Sequence, residues 1–235
     1  MTATAPRSSG PRSRRGVRVL ANVLIVAGVL LLADAGLTLL WQEPFSALYT
    51  HVRQGNLADR LDQLERAPLA PVEQRAMEQL PDTAQRLAFA ARAFARKVHD
   101  GDPIGRLRLP SAGIDDVMVE GTGTADLRSG PGHYPSTPLP GQRGTVGIAG
   151  HRTTYGAPFR HLDAVKPGDR VEVSLPYGVF TYRVERTRIV KPTDVWVTDR
   201  VSYDRLILSA CHPLYSAAQR IVVFARLERA RARFR

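Results

Sequence analysis

The chain has 235 residues, a formal charge of +11 and one cysteine. That length holds one sizeable core plus accessory segments, and a single cysteine excludes a disulfide framework or a multi-cysteine metal site. The charge resembles a nucleic-acid signal until it is located. Residues 1–18 carry five arginines and no acid, and residues 226–235 carry five arginines against Glu228. The middle has no aromatic interleaving, zinc spacing or recognition-helix pattern, so nucleic acid is not a predicted partner.

Residues 1–18 are rich in Pro, Ser, Gly and Arg, a composition that buries no core and predicts a disordered basic tail. Residues 19–41 are apolar. As a helix these 23 residues rise about 35 Å, against a hydrocarbon core of about 30 Å. Arginines precede the segment and Trp41 closes it, which predicts a cytoplasmic N-terminus and an extracellular bulk at the plasma membrane. Asn22 and Asp34 interrupt the run, and Asp34 lies near its outer end, where a carboxylate can snorkel. The length of the run, and the lack of a small-x-small site after it, favour a retained anchor over a cleaved signal peptide.

Residues 42–102 change texture. Leu48, Val52, Leu57, Leu61 and Leu64 recur at helical spacing, with a break expected at Gly55. A second helix is predicted to start at Pro81-Asp82-Thr83, with Leu87, Ala91, Phe94 and Val98 on one face. The segment reads as a helical stalk that packs on the main domain, in preference to an amphipathic helix lying on a membrane.

From residue 103 the pattern is mainly β. Strands are predicted over 106–109, 115–119, 145–150, 170–175, 179–190, 205–210 and 221–227. The intervening residues 121–144 read as a Gly/Pro loop, and one helical turn is expected near Phe159–Asp163. Seven or so short strands at this spacing make a sandwich or a barrel. Residues 103–228 are the predicted β domain, and 229–235 a basic tail.

Cys211 closes one apolar strand and Arg220 opens the next, so a hairpin between them brings thiol and guanidinium to one end of a sheet. His151 follows Gly150 at the end of another apolar strand, in a position equivalent to that of Cys211. A cysteine nucleophile needs a nearby base or cation, and acyl transfer needs a donor for the developing oxyanion. Taken singly, a strand-end Cys is commonly a small core residue, a strand-end His structural, and a strand-opening Arg a solvated charge. Their joint occurrence points to a site. His133, His161 and His212 are candidate second histidines. His212 adjoins Cys211 but should point to the opposite face. Asp115, Asp116 and Glu120 form an acidic patch without the pattern of a calcium loop, so no metal is predicted.

These features resemble the catalytic domain of sortases, the membrane-anchored cysteine transpeptidases of Gram-positive surfaces. The matching elements are Gly150-His151, Cys211 at a strand end and Arg220 nine positions later. The run from Gly150 to Phe159, the Cys211-His212-Pro213 triplet and the upstream Gly130–Pro135 stretch look most like class E sortases of actinobacteria. The resemblance implies a closed β-barrel of seven to eight strands with short helices, following the helical stalk and one transmembrane helix. It implies no cofactor. It further implies that Cys211 attacks the Thr–Gly bond of a Leu-Ala-x-Thr-Gly or Leu-Pro-x-Thr-Gly sorting signal near the C-terminus of a secreted protein. His151 would protonate the leaving amine, Arg220 would hold substrate and oxyanion, and a peptidoglycan-precursor amine would resolve the thioester. Tyr134 is the candidate contact to the second signal position. Sortases commonly carry Thr-Leu-x-Thr before the cysteine. Here those positions are Ile207, Leu208, Ser209 and Ala210, which marks Ala210 as a candidate specificity position.

Two other readings compete. A non-catalytic membrane-tethered β-barrel that binds peptide or cell-wall polymer would leave Cys211 inert. An L,D-transpeptidase would need a Ser-His-Gly-Cys type of motif, which is absent.

Overall fold

The computed structural model describes residues 11–40, 44–67 and 70–233. The chain divides into two compact units, Met1–Pro44 and Phe45–Arg235. The first contains helix α1 (Pro11–Leu40), in which Gly16–Gly36 is long and apolar enough to cross a membrane, with a mean hydropathy of 2.3. The helix starts at Pro11, inside the segment expected to be disordered, because arginines are good helix formers ahead of an apolar run. Residues 1–10 and Trp41, the predicted interfacial aromatic, lie outside the described residues.

The second unit is a closed eight-stranded barrel with helices packed on it. The helices are α2 (Pro44–Arg66), α3 (Pro71–Glu78), α4 (Thr83–Ala95) and the single turn α5 (Thr124–Leu127). The strands are β1 (Pro103–Leu109), β2 (Ile114–Glu120), β3 (Gly132–His133) and β4 (Thr145–Ala149). They continue with β5 (Arg170–Leu175), β6 (Gly178–Val190), β7 (Arg205–His212) and β8 (Gln219–Ala232). Around the barrel the order is β1-β2-β3-β4-β7-β8-β6-β5. β2/β3 and β4/β7 pair in parallel, and the remaining neighbours are antiparallel.

Alternation along each strand fills the interior. Val146 and Ile148 of β4, Leu206, Leu208 and Ala210 of β7, and Ile221, Val223 and Ala225 of β8 all join the main core. The opposite faces of β7 and β8 carry a second cluster of Ile207, Val222 and Phe224, completed by Val190. Trp196, in the β6–β7 connection, stacks on Phe224 with ring centroids 6.1 Å apart. At one end of the barrel α4 seals the core with Leu87, Ala90 and Ala91. Its start is fixed by Asp82, whose carboxylate accepts the Gln85 N–H at 2.8 Å, as the Pro81-Asp82-Thr83 signal predicted.

Helix α2 runs through Gly55 without the expected break, and it packs on the barrel. Leu57 and Leu61 bury against Val117 and Val119 of β2. Gln54 acts as a missing strand partner, because β3 is too short to reach Val117. Its amide oxygen accepts the Val117 N–H at 2.7 Å, and its amide nitrogen donates to Val117 O at 3.0 Å and Ser129 O at 2.7 Å.

Two further expectations change. The loop predicted over 121–144 contains β3, whose two residues bridge β2 and β4. Residues 229–232, expected in a basic tail, continue β8 against residues 178–181 of β6. Alternating Arg and Ala reads as solvated tail by composition, but the long β6 hairpin supplies an edge for it to pair with.

Candidate active site

β4 and β7 are neighbours in parallel, with Thr145 level with Arg205 and Ala149 level with Ser209. The Gly150 N–H donates to Ser209 O at 3.1 Å, extending the ladder past the end of β4. On the other side, β7 and β8 are antiparallel and Cys211 is directly opposite Arg220. Directly opposed residues have Cβ atoms about 4.5–5.5 Å apart on one face. Cys211 and Arg220 therefore face each other across β7 and β8, and His151 lies two residues past the end of β4, the neighbour of β7 on its other side. Strand parity puts Cys211 and Arg220 on the outer face, opposite the core side chains of Ala210 and Ile221.

Cys211 is a half-buried free thiol. Arg220 donates from one terminal nitrogen to Ala217 O at 2.9 Å and Gln219 O at 3.0 Å, in its own hairpin loop. Its other three N–H donors have no hydrogen-bond partner among the described residues.

His151 is fixed from below and from the side. A Cβ on Gly150 would stand 2.8 Å from Cγ and Cδ2 of Phe159, a ring fully excluded from solvent. Glycine is thus what lets the chain pass over that ring. The Phe159 N–H returns to His151 O at 3.0 Å, closing the loop. The imidazole lies against Tyr155, with centroids 5.2 Å apart. Its Nε2 is buried and makes no hydrogen bond among the described residues. Burial, and secondarily the charge of Arg128, push the imidazole below its ordinary pKa, so it is neutral at pH 7.

Arg152 falls within the Gly150–Phe159 run. It is buried and ties the loop after β4 to the end of β7. Its guanidinium meets His212 Nδ1 at 2.9 Å, Arg160 O at 3.2 Å and Asp163 Oδ2 at 2.8 Å. Burial opposes ionisation of Asp163, but the hydrogen bond and charge of Arg152 prevail and hold the carboxyl below its ordinary range. His212 therefore serves this clamp on the face away from Cys211. His133 is buried between Glu120, at 3.0 Å from Nδ1, and Thr137, at 3.1 Å from Nε2. His161 is exposed at the start of the turn Leu162–Ala164.

The acidic patch does not converge. Asp115 pairs with Arg106 at 3.2 Å and Glu120 with His133, while burial and then the Asp115 charge push the Asp116 carboxyl upward. No group of three or more His, Cys, Asp or Glu is placed to hold a metal among the described residues.

Tyr134 is half-buried, and its ring lies over Gly147 of β4, where a Cβ would be 2.6 Å from Cδ2. Gly147 is on the same outer face as Cys211, about 13 Å down the sheet. Ala210 is a correction. Its methyl points into the barrel core, 3% exposed, on the face opposite Cys211. The pleat that exposes the thiol turns the preceding side chain inward, so Ala210 packs under the site and does not line it.

A closed barrel with a thiol and a guanidinium facing each other across two strands, and an imidazole just past the end of the neighbouring strand, has the parts for acyl transfer. The sortase domain family matches residues 107–228, and the chain belongs to the sortase family. It is 32% identical to Sortase D of Bacillus subtilis over 134 residues, which cover 55% of this chain and 66% of that protein. With Sortase SrtE1 of Streptomyces coelicolor the figures are 27% over 149 residues, 57% and 42%. The chain thus spans less than two thirds of these first relatives. Among solved structures, sortase E from Streptomyces avermitilis superposes with a TM-score of 0.52 at 33% identity, over 57% of this chain and 93% of that one. The expected likeness to class E is present, and a likeness of the same order reaches Sortase D.

Proposed function

We propose that this chain is a membrane-anchored cysteine transpeptidase that cleaves a sorting signal between Thr and Gly and transfers the acyl part to a cell-wall amine. The observation that supports this reading is that Cys211 lies directly opposite Arg220 across β7 and β8, with His151 two residues past the end of β4 on the other side of β7. Neutral His151 takes the thiol proton as Cys211 Sγ bonds to the Thr carbonyl carbon. The oxyanion that forms is stabilised by Arg220, whose planar fork of donors matches it. His151 then gives the proton to the leaving glycine nitrogen, the C–N bond breaks, and a thioester remains on Cys211. An acceptor amine, most simply on a peptidoglycan precursor, attacks that thioester. His151 takes the amine proton, the C–S bond breaks as the new amide forms, and the proton passes to the departing Cys211 thiolate.

A Leu-Ala-x-Thr-Gly or Leu-Pro-x-Thr-Gly segment lying along the outer face of β4 and β7 would pass Tyr134, which we assign to the second signal position. Ala210 influences the site by packing beneath the nucleophile strand. Helix α1 anchors the enzyme, with the N-terminus cytoplasmic and the barrel outside, so that it meets secreted proteins as they emerge.

The test uses the full chain in detergent, incubated with each signal peptide and no amine, and read by intact mass. An acyl adduct on Cys211 is expected, with none in Cys211→Ala. Wild-type turnover by Cys211→Ala would sink the mechanism. No adduct and no cleavage with either peptide, together with slow methanethiosulfonate labelling of Cys211, would instead favour a non-catalytic binding barrel.

A further inference from the structure

The imidazole of His151 makes no hydrogen bond to a carboxylate among the described residues, so the ring is held by packing, and its charge is set by burial and then by a nearby cation. Tyr155 lies against it at 5.2 Å between centroids, and the guanidinium carbon of Arg128 is 5.4 Å from the centre of the Tyr155 ring. Imidazole, phenol ring and guanidinium thus form a chain of three planar groups drawn from two loops. We propose that Arg128 is a positioning residue for the reaction, acting on His151 through the ring of Tyr155 and through its own charge. The proposal rests on the assignment of His151 as the acid–base group.

Three observations support it. First, the loop that presents Tyr155 is held in a costly conformation, with φ of 51° at Tyr155, 72° at Gly156 and 43° at Ala157. Non-glycine residues persist in that region only when their surroundings hold them there, and such residues cluster at working sites. Second, both loops are pinned from outside by α2. Thr50 packs at Gly156, where a Cβ would be 3.3 Å from its methyl, and its hydroxyl donates to Arg128 O at 3.4 Å. Gln54 bonds the next carbonyl, Ser129 O. Third, Arg128 has no ion pair among the described residues, so no acid neutralises the charge it directs at the site.

The other groups around His151 do not supply this. Arg152 on its own loop is committed to His212, Arg160 O and Asp163. Phe159 is apolar. Cys211 on β7 and Arg220 on β8 act on substrate. Burial first, and then the charge of Arg128, disfavour imidazolium, which keeps the base able to accept the thiol proton.

The experiment follows the 13Cε1 signal of His151 against pH, in the full-length Cys211→Ala protein in detergent, labelled at histidine and assigned with His151→Gln. Removing the thiol prevents coupled titration from obscuring the midpoint. Arg128→Gln is expected to move the midpoint to higher pH, Arg128→Lys to return it toward the parent value, and Tyr155→Phe to leave it near the parent. In the Cys211 protein, Arg128→Gln should lower kcat roughly threefold at pH 6 and recover at pH 8, with KM unchanged. Arg128 is exposed, so these variants should fold. An Arg128→Gln midpoint equal to the parent's overturns the proposal. A shifted midpoint in an enzyme that forms no acyl adduct would uphold the positioning and refute the transpeptidase reading alone.

Discussion

The most informative single perturbation outside the site is Gln54→Leu. The leucine is close to isosteric, so it removes three hydrogen bonds with little change in shape. Val117 is 1% exposed, and Gln54 satisfies both its N–H and its C=O. Each typical hydrogen bond contributes about 0.5–1.5 kcal/mol net, and a buried group left unsatisfied costs roughly 1–3 kcal/mol. The leucine recovers part of this by burial, which leaves a destabilisation of about 2–4 kcal/mol. For a unit of this size, each kcal/mol lowers Tm by roughly 2–4 °C. A fall of about 4–16 °C is therefore expected in thermal denaturation. Hydrogen exchange should show the Val117 amide losing protection ahead of its β1/β2 neighbours. Because Ser129 O is released too, acyl-enzyme formation should slow through the loop that carries Arg128. An unchanged Tm with a still-protected Val117 amide would refute the view that Gln54 substitutes for a missing strand.

Two further outcomes follow from the site. Gly150→Ala places a methyl against the buried Phe159 ring. Overpacking should cost about 1–3 kcal/mol, and displacement of His151 should lower kcat/KM roughly ten- to hundred-fold. Full activity in that variant would show that Phe159 is not the floor of the site. The depressed pKa of His151 means that below pH 6.5 the unfolded chain binds a proton which the folded chain resists. Stability should therefore fall as pH drops from 6.5 through the folded value. The paired carboxylates, among them Asp163 and Glu185, have folded pKa values below their ordinary range, so their contribution is lost only at lower pH. Denaturation midpoints of wild type and His151→Gln between pH 7 and 5 should diverge, with the variant flatter. Parallel curves would contradict the shift.

How much was legible in the chain differs from element to element. The seven strong strands announce themselves by alternation and bounding turns. The Cys211–Arg220 pairing follows from a hairpin only eight residues long between them, short enough for local spacing to fix which residues oppose. β3 was not legible, because two residues carry no period. Nor was the strand character of residues 229–232, whose Arg/Ala alternation lacks an apolar face. Ala210 occupies a position where a hydroxyl is expected, but alternation with Cys211 turns its side chain inward, and that orientation follows from packing.

Composition and pattern by themselves determined the apolar N-terminal helix, the mainly β domain and the three residue types with the chemistry for acyl transfer. Only the tertiary structure decided that β4 lies parallel to β7, so that His151 stands two residues beyond a pairing made between positions sixty apart in the chain. Parallel neighbours are joined by long crossovers, so no turn between them records their register. The same holds for Gln54 on Val117 and for Arg128 over Tyr155. Each is a contact between a side chain and a partner that only packing brings near, and neither leaves a period or spacing in the chain.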